Sequence, residues 1–192
     1  MSVHVTNEIG KLRKVMLHRP GEELEHLVPG ELERLLFDDI PYLKTAQQEH
    51  DVFADILRDQ GTEVVYLEDL AAETLRIGPE VRENFIWKVI EEGGSLAMEY
   101  RNELFDLLNG IEDEKDLVLK TMAGVSTNEM KDATYRPLAD LVKSGGRFVL
   151  DPMPNLYFTR DPFASIGRGV SLNRMYSGTR RRETIYGKLI LE

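Results

Sequence analysis

Apolar and polar positions along this chain follow two different periods. Residues 11–18, KLRKVMLH, hold the run Val15-Met16-Leu17, apolar on both faces, as in a strand covered on both sides. Arg19-Pro20-Gly21 ends it with turn residues. Residues 22–36 read as short helical pieces broken at Pro29-Gly30, and LFDDIP, residues 36–41, reads as a loop. A helix is predicted over 42–59, with Ala46, Phe53, Ile56 and Leu57 as its buried stripe. Gly61 stops it, and TEVVYL, residues 62–67, follows as a strand. Residues 11–67 thus spell one α/β unit.

The period then changes. From about residue 70 to 144 helical runs alternate with breakers, and no strand-like alternation is visible. Residues 79–92 open at Pro79, a favoured first helical position, and bury Phe85, Ile86, Val89 and Ile90 before Gly93-Gly94. Residues 95–109 form a second predicted helix with Ser95 as N-cap and Gly110 as its stop. Residues 112–123 predict a third and 137–143 a short fourth. This is a small helical bundle inserted between two α/β pieces. The strand signal returns at Phe148-Val149-Leu150 and again over 169–176, and residues 180–192 open a helix.

Composition narrows the class. The 192 residues are 42% hydrophobic and 30% charged, ordinary for a globular chain. No apolar run approaches the ~20 residues that span a bilayer, and the N-terminus lacks the pattern of a signal peptide. A cytoplasmic protein with no membrane partner is expected. Net charge is −10, yet residues 146–192 are +4, which leaves −14 on residues 1–145. An acidic body argues against nucleic acid as partner. The basic segment fits either an anion site or a solvated face, and charge alone favours the solvated face. There is no cysteine, so disulfides, thiolate metal sites and cysteine nucleophiles are all excluded from these residues. His4, His18, His26 and His50 show no metal-ligand spacing, and neither metal nor cofactor is expected.

Candidate chemistry concentrates in PNLYFTRDP, residues 154–162. Asp161, between Arg160 and Pro162, reads as a turn acid or as a working carboxylate. On an extended chain Asn155 and Asp161 would share one face, with Phe158 on the other, so a bend near Phe158 would be needed to join all three. Arg180, Arg181 and Arg182 stand at a predicted helix start, where cations oppose the helix dipole. That placement suits a bound anion, since a guanidinium fork matches a carboxylate. A solvated basic patch is the alternative.

Several stretches together resemble the N-terminal half of bacterial arginine deiminases. They are NEIGKLRKVMLHRPG (7–21), LLFDD (35–39), EHDVFADILRDQGTEVVYL (49–67), DPMPNLYFTRDPFASIGRGV (151–170) and RRRET (180–184). The resemblance implies the α/β propeller of guanidino-group-modifying enzymes, interrupted by an all-helical bundle. It divides the chain into a first propeller module (1–70), the inserted bundle (71–145) and the start of the next module (146–192). It implies hydrolysis of L-arginine to L-citrulline and ammonia through a covalent cysteine intermediate. Asp161 would then be a catalytic guanidinium-binding carboxylate. Asn155 and Phe158 would contact substrate, Arg180 (or Arg181, one step on) would hold its α-carboxylate, and Leu36 would sit on a loop closing over the amino-acid end.

The family's nucleophilic cysteine, its HxD motif and a glutamate partner have no counterpart here, so the expectation is half a site, inactive alone and completed by a missing C-terminal half. A homo-oligomer is compatible with this. Agmatine deiminase, dimethylarginine hydrolase and amidinotransferase are rivals with the same guanidinium chemistry. A natural non-catalytic half-propeller with a binding or regulatory role is a rival of another class.

Overall fold

The computed structural model describes residues 3–130 and 147–191. In chain order it contains β1 (Lys14–Leu17), α1 (Leu32–Leu35), α2 (Leu43–Asp59), β2 (Glu63–Tyr66), α3 (Leu67–Leu75), α4 (Pro79–Glu91), α5 (Ser95–Glu99), α6 (Arg101–Asn109), α7 (Glu114–Ala123), β3 (Val125–Ser126), β4 (Phe148–Leu150), β5 (Phe163–Ile166), β6 (Gly169–Leu172) and α8 (Glu183–Leu191). Single 3-10 turns occupy Pro29–Glu31, Thr127–Glu129, Pro154–Tyr157 and Gly178–Arg180. The architecture is mixed α/β. Among the described residues no helix is long and apolar enough to cross a membrane.

The described strands form three separate pairs, none of them closed. β1 and β2 are parallel, Lys14 beside Glu63 through Leu17 beside Tyr66. A parallel pair needs a crossover, and α2 supplies it. β3 pairs antiparallel with β4, and β5 with β6. The N-terminal segment joins the β5–β6 turn through Val5 and Gly167, which exchange two backbone hydrogen bonds of 2.7 Å.

Local chemistry explains several helix ends. Pro79 opens α4, where a missing N–H costs nothing. The Asp113 carboxylate accepts from the backbone N–H groups of Lys115 and Asp116 at 2.8 and 3.0 Å and caps α7. Gly124 ends α7 at φ 86, and a Cβ there would lie 2.5 Å from the Leu150 carbonyl oxygen. The chain can leave α7 and pass this close to β4 because that position is glycine.

Several expectations need correction. Phe53 and Ile56 do not belong to the buried stripe of α2. They are 51% and 57% exposed, while Ala54 is fully buried. α2 turns its Ala54 face inward and its Phe53–Ile56 face outward. The predicted helix over 95–109 is two helices, broken at Tyr100, and Gly94 rather than Ser95 is the N-cap. A strand, β3, does occur between 70 and 144. Pro29-Gly30 opens a 3-10 turn rather than breaking a helix. The strand read over 169–176 ends at Leu172, and α8 starts at Glu183, after the three arginines. In β1, Leu17 is buried but Val15 and Met16 are half-buried. The helix expected over 137–143 lies outside the described residues.

One apolar core runs from Leu67 of α3 through α4, α6 and α7 to β4, Phe163 and Tyr186. Phe85, Ile86, Val89 and Ile90 are buried in it as the spacing predicts. Trp87 stacks on Phe105 with centroids 4.5 Å apart and ties α4 to α6. Tyr186 on α8 is fully buried, and its hydroxyl pairs with the Thr121 hydroxyl of α7 at 2.9 Å. A second, smaller cluster of Leu24, Leu27 and Leu35 lies under α1 and the start of α2.

Candidate guanidinium site

The segment carrying Asp161 is not extended. Pro154–Tyr157 forms a 3-10 turn, and two further turns follow it: Phe158 N–H donates to Asn155 O at 3.0 Å, and Asp161 N–H to Phe158 O at 3.2 Å. The chain is therefore not extended here, and consecutive turns supply the bend near Phe158 that a joint site would require. Pro154 favours this because its fixed φ suits the first position of a turn. Thr159 anchors the segment to the α/β unit by donating to the Met16 carbonyl of β1 at 3.0 Å.

Asn155 points inward. Its amide donates to Leu35 O at 2.7 Å in a buried contact. Leu35 ends α1, and the next residue, Leu36, is half-exposed in the left-handed region at φ 58. The neighbouring carbonyl, Arg34 O, accepts from the Thr179 hydroxyl at 3.0 Å. Thus the loop bearing Leu36, the turn bearing Asn155 and the turn bearing Arg180 are clipped together by side chain to backbone bonds. These satisfy carbonyls that a helix end leaves open. The Arg34 side chain adds a bidentate bridge to Asp151, with 2.6 and 3.0 Å contacts, and its guanidinium pKa is raised chiefly by that bond.

Phe158 lies open to solvent against Tyr157, ring centroids 3.9 Å apart, and Tyr157 meets Phe37 edge-on at 6.3 Å. Burial raises the Tyr157 phenol, against the pull of nearby Arg180. This aromatic shelf borders the charged centre.

The three arginines have three different fates. Arg181 is exposed. Arg182 is buried, and burial pushes its pKa down. It donates to the Asp151 carbonyl and leaves Nη1 buried without a partner. Arg180 reaches the site. Its Nε and Nη2 grip both oxygens of Glu183 at 2.8 and 2.7 Å, and its Nη1 donates to Asp161 Oδ2 at 2.9 Å. Burial alone would lower the Arg180 pKa, but the bonds to Glu183 and Asp161 raise it overall. Burial raises the Glu183 carboxyl, partly offset by Arg180. Asp161 stays half-exposed, and its backbone carbonyl accepts from the Asn173 amide at 2.9 Å. The site thus holds a planar cation seated between two carboxylates.

Two features escaped the sequence reading. Glu183 had a signal, since it stands three residues after Arg180 at helical pairing distance. A buried triad had none. His18 lies between Glu68 (2.9 Å from Nδ1) and Glu23 (3.0 Å from Nε2), and Glu68 is 50 positions away. Burial would push the imidazole down, but the hydrogen bonds to both carboxylates outweigh it and raise it to about 9. Glu23 and Glu68 also line a cavity of about 810 Å³ with Gln47 and Lys115, and none of the expected site residues borders that cavity.

The arginine deiminase family profile matches residues 33–192. The chain is 57% identical over 190 residues to an arginine deiminase of Treponema denticola, with 99% of this chain and 46% of that protein aligned. It is 58% identical to the arginine deiminase of Streptococcus equi subsp. zooepidemicus and 57% to that of Streptococcus pyogenes, with 98% of this chain and 46% of each relative aligned. The chain spans about half the length of the curated relatives it matches. On a match of that extent, the chain belongs to the arginine deiminase family.

Proposed function

We propose that this chain carries one side of the guanidinium-binding site of an arginine deiminase, which hydrolyses L-arginine to L-citrulline and ammonia. A guanidinium is planar and delocalised, stays protonated throughout the accessible pH range, and is a poor electrophile. Carboxylates that fix its plane and a nearby acid that protonates the leaving amine make attack feasible. The observation that carries this reading is the Arg180 guanidinium resting 2.9 Å from Asp161. In this reading Asp161 receives the substrate guanidinium, and Arg180 turns to the substrate α-carboxylate. The Phe158–Tyr157 shelf flanks the aliphatic stem. Asn155 holds the Leu36 loop as a cover over the amino-acid end.

The 192 residues contain no cysteine, and none of the four histidines is followed two residues later by aspartate. The nucleophile and the acid–base group therefore come from the remainder of the whole protein, and this chain alone does not turn over arginine. Residues 1–70 and the segment from 146 onward are then modules of an α/β propeller, with 71–145 as a largely helical insert whose strand β3 pairs with β4. The unjoined strand pairs support that arrangement, because each offers free edges to further strands.

A complementation assay tests the proposal. The pure chain, incubated with L-arginine, should release no citrulline. Mixed with the C-terminal half of the Treponema denticola relative, it should release citrulline, and Asp161→Ala should abolish that release. Steady turnover by the pure chain, or an unchanged rate with Asp161→Ala, would sink the proposal.

A further inference from the structure

Resting on the guanidinium-site reading above, we propose that Glu183 is the positioning residue for Arg180: it holds one side of the guanidinium fixed and leaves one arm free to exchange between Asp161 and the carboxylate of an incoming amino acid. The contacts are unequal. The Glu183 side chain is 1% exposed and takes the Nε–Nη2 fork with both oxygens, an arrangement that is directional and shielded from water. The Asp161 side chain is 46% exposed and meets a single nitrogen, Nη1. Among the described residues it has no second side-chain partner. The exposed single contact is the one that water and ligands can displace. An ordinary pair three residues apart would staple one turn of chain. Here the same guanidinium also crosses 19 positions to Asp161, so Glu183 sets where that crossing arm points.

Charge balance gives the exchange its selectivity. One cation now serves two carboxylates. A ligand bearing a guanidinium and a carboxylate brings a cation for Asp161 and an anion for Arg180 Nη1, and the α-ammonium of an amino acid stands outside this exchange. A guanidinium without a carboxylate competes with Nη1 at Asp161 and offers it nothing in return. Glu183 thus favours a free amino acid over a decarboxylated analogue, because the arm it presents has an anion to receive.

Arginine side-chain nitrogen NMR, combined with carboxyl-carbon NMR, tests this on the full chain. The Arg180 Nε–H signal should be protected in the native chain and in Asp161→Asn, and lost in Glu183→Gln. L-arginine should shift the Asp161 carboxyl signal while Arg180 Nε–H persists. Agmatine, which has no carboxylate, should act more weakly. Glu183→Gln should weaken the L-arginine response by about tenfold, the scale of one charge-assisted hydrogen bond, and change the agmatine response by much less. Glu183→Asp, which keeps the charge, should restore part of the L-arginine response, and it stands in if the glutamine variant fails to fold. An Nε–H signal indifferent to Glu183→Gln overturns the proposal. So does equal loss of both ligand responses, which would mark Glu183 as merely structural. If neither ligand moves Asp161 in the native chain, the exchange is overturned, whereas the complementation assay decides the guanidinium-site reading and the Nε–H comparison decides the positioning role by itself.

Discussion

The side-chain amide of Asn155 donates to the carbonyl of Leu35 at 2.7 Å, across 120 positions of sequence. This one bond fastens the turn that leads to Asp161 onto the end of α1. Asn155→Ala leaves the Leu35 carbonyl buried without this donor, which should cost about 1–3 kcal/mol. Hydrogen exchange over residues 36–41 should quicken at the same time, because Leu36 sits immediately beyond the clip. Urea unfolding with unchanged midpoint and slope would show that the bond holds nothing.

His18 makes stability depend on alkaline pH. Its folded pKa is raised from 6.5 to about 9. A raised pKa means that folding favours the protonated form. The contribution, of order 3 kcal/mol, is therefore complete below the unfolded value and fades as pH rises through the folded one. Urea unfolding of the native chain should weaken between about pH 6.5 and 9. His18→Gln should flatten that slope. It should also cost roughly 3–5 kcal/mol near neutrality, because Glu23 and Glu68 would lose their buried cation. Direct NMR titration of the imidazole below pH 7 would contradict the assignment.

Gly187 lets α8 lie on β5. A Cβ at this position would stand 2.6 Å from the Phe163 ring. Gly187→Ala should destabilise by about 1–3 kcal/mol through overpacking. Phe163→Leu should cost stability alone yet relieve part of the Gly187→Ala penalty, a coupling that a double-mutant cycle of unfolding free energies measures. Simple additivity would mean the two residues do not meet.

The outer face of α2 should tolerate polar residues. Phe53→Lys is expected to change stability by no more than about 0.5 kcal/mol, since the ring is half-exposed. Ala54→Leu, one position on, should cost about 1–3 kcal/mol because that side chain is fully buried. Comparable thermal shifts for the two substitutions would reverse the assignment of faces.

The contrast between Phe53 and Ala54 shows where sequence reading reaches its limit. Helical periodicity located α2 and identified an apolar stripe, but it could not say which stripe would find a partner. Burial depends on what packs beneath the helix, and there Ala54 is covered while Phe53 is not. The turns at 154–162 repeat the lesson. Two prolines announced an irregular segment, and joining Asn155, Phe158 and Asp161 called for a bend whose form the spacing could not give. The actual backbone is a series of i to i+3 turns, set by Thr159 on Met16 and Asn155 on Leu35, contacts far apart in sequence. Of the candidate site, the sequence singled out Asp161 and Arg180 through ordered motifs, and that the two side chains meet is a fact of the tertiary structure. Glu183 was legible in spacing but went unread.

The sequence by itself determined the local elements: β1 and β2 from their β-rich runs, α4 and α7 from apolar period and helix-start residues, the turns from proline and glycine. Backbone sterics and side-chain periodicity act over a few residues, so they can be read from a few residues. The tertiary structure alone decided that His18 lies between Glu23 and Glu68, that Arg182 is buried while Arg181 is exposed, and that Arg180 meets Asp161. Each of these depends on how charges are desolvated when distant segments close on one another. That energy belongs to the packed molecule and to no stretch of the chain taken alone.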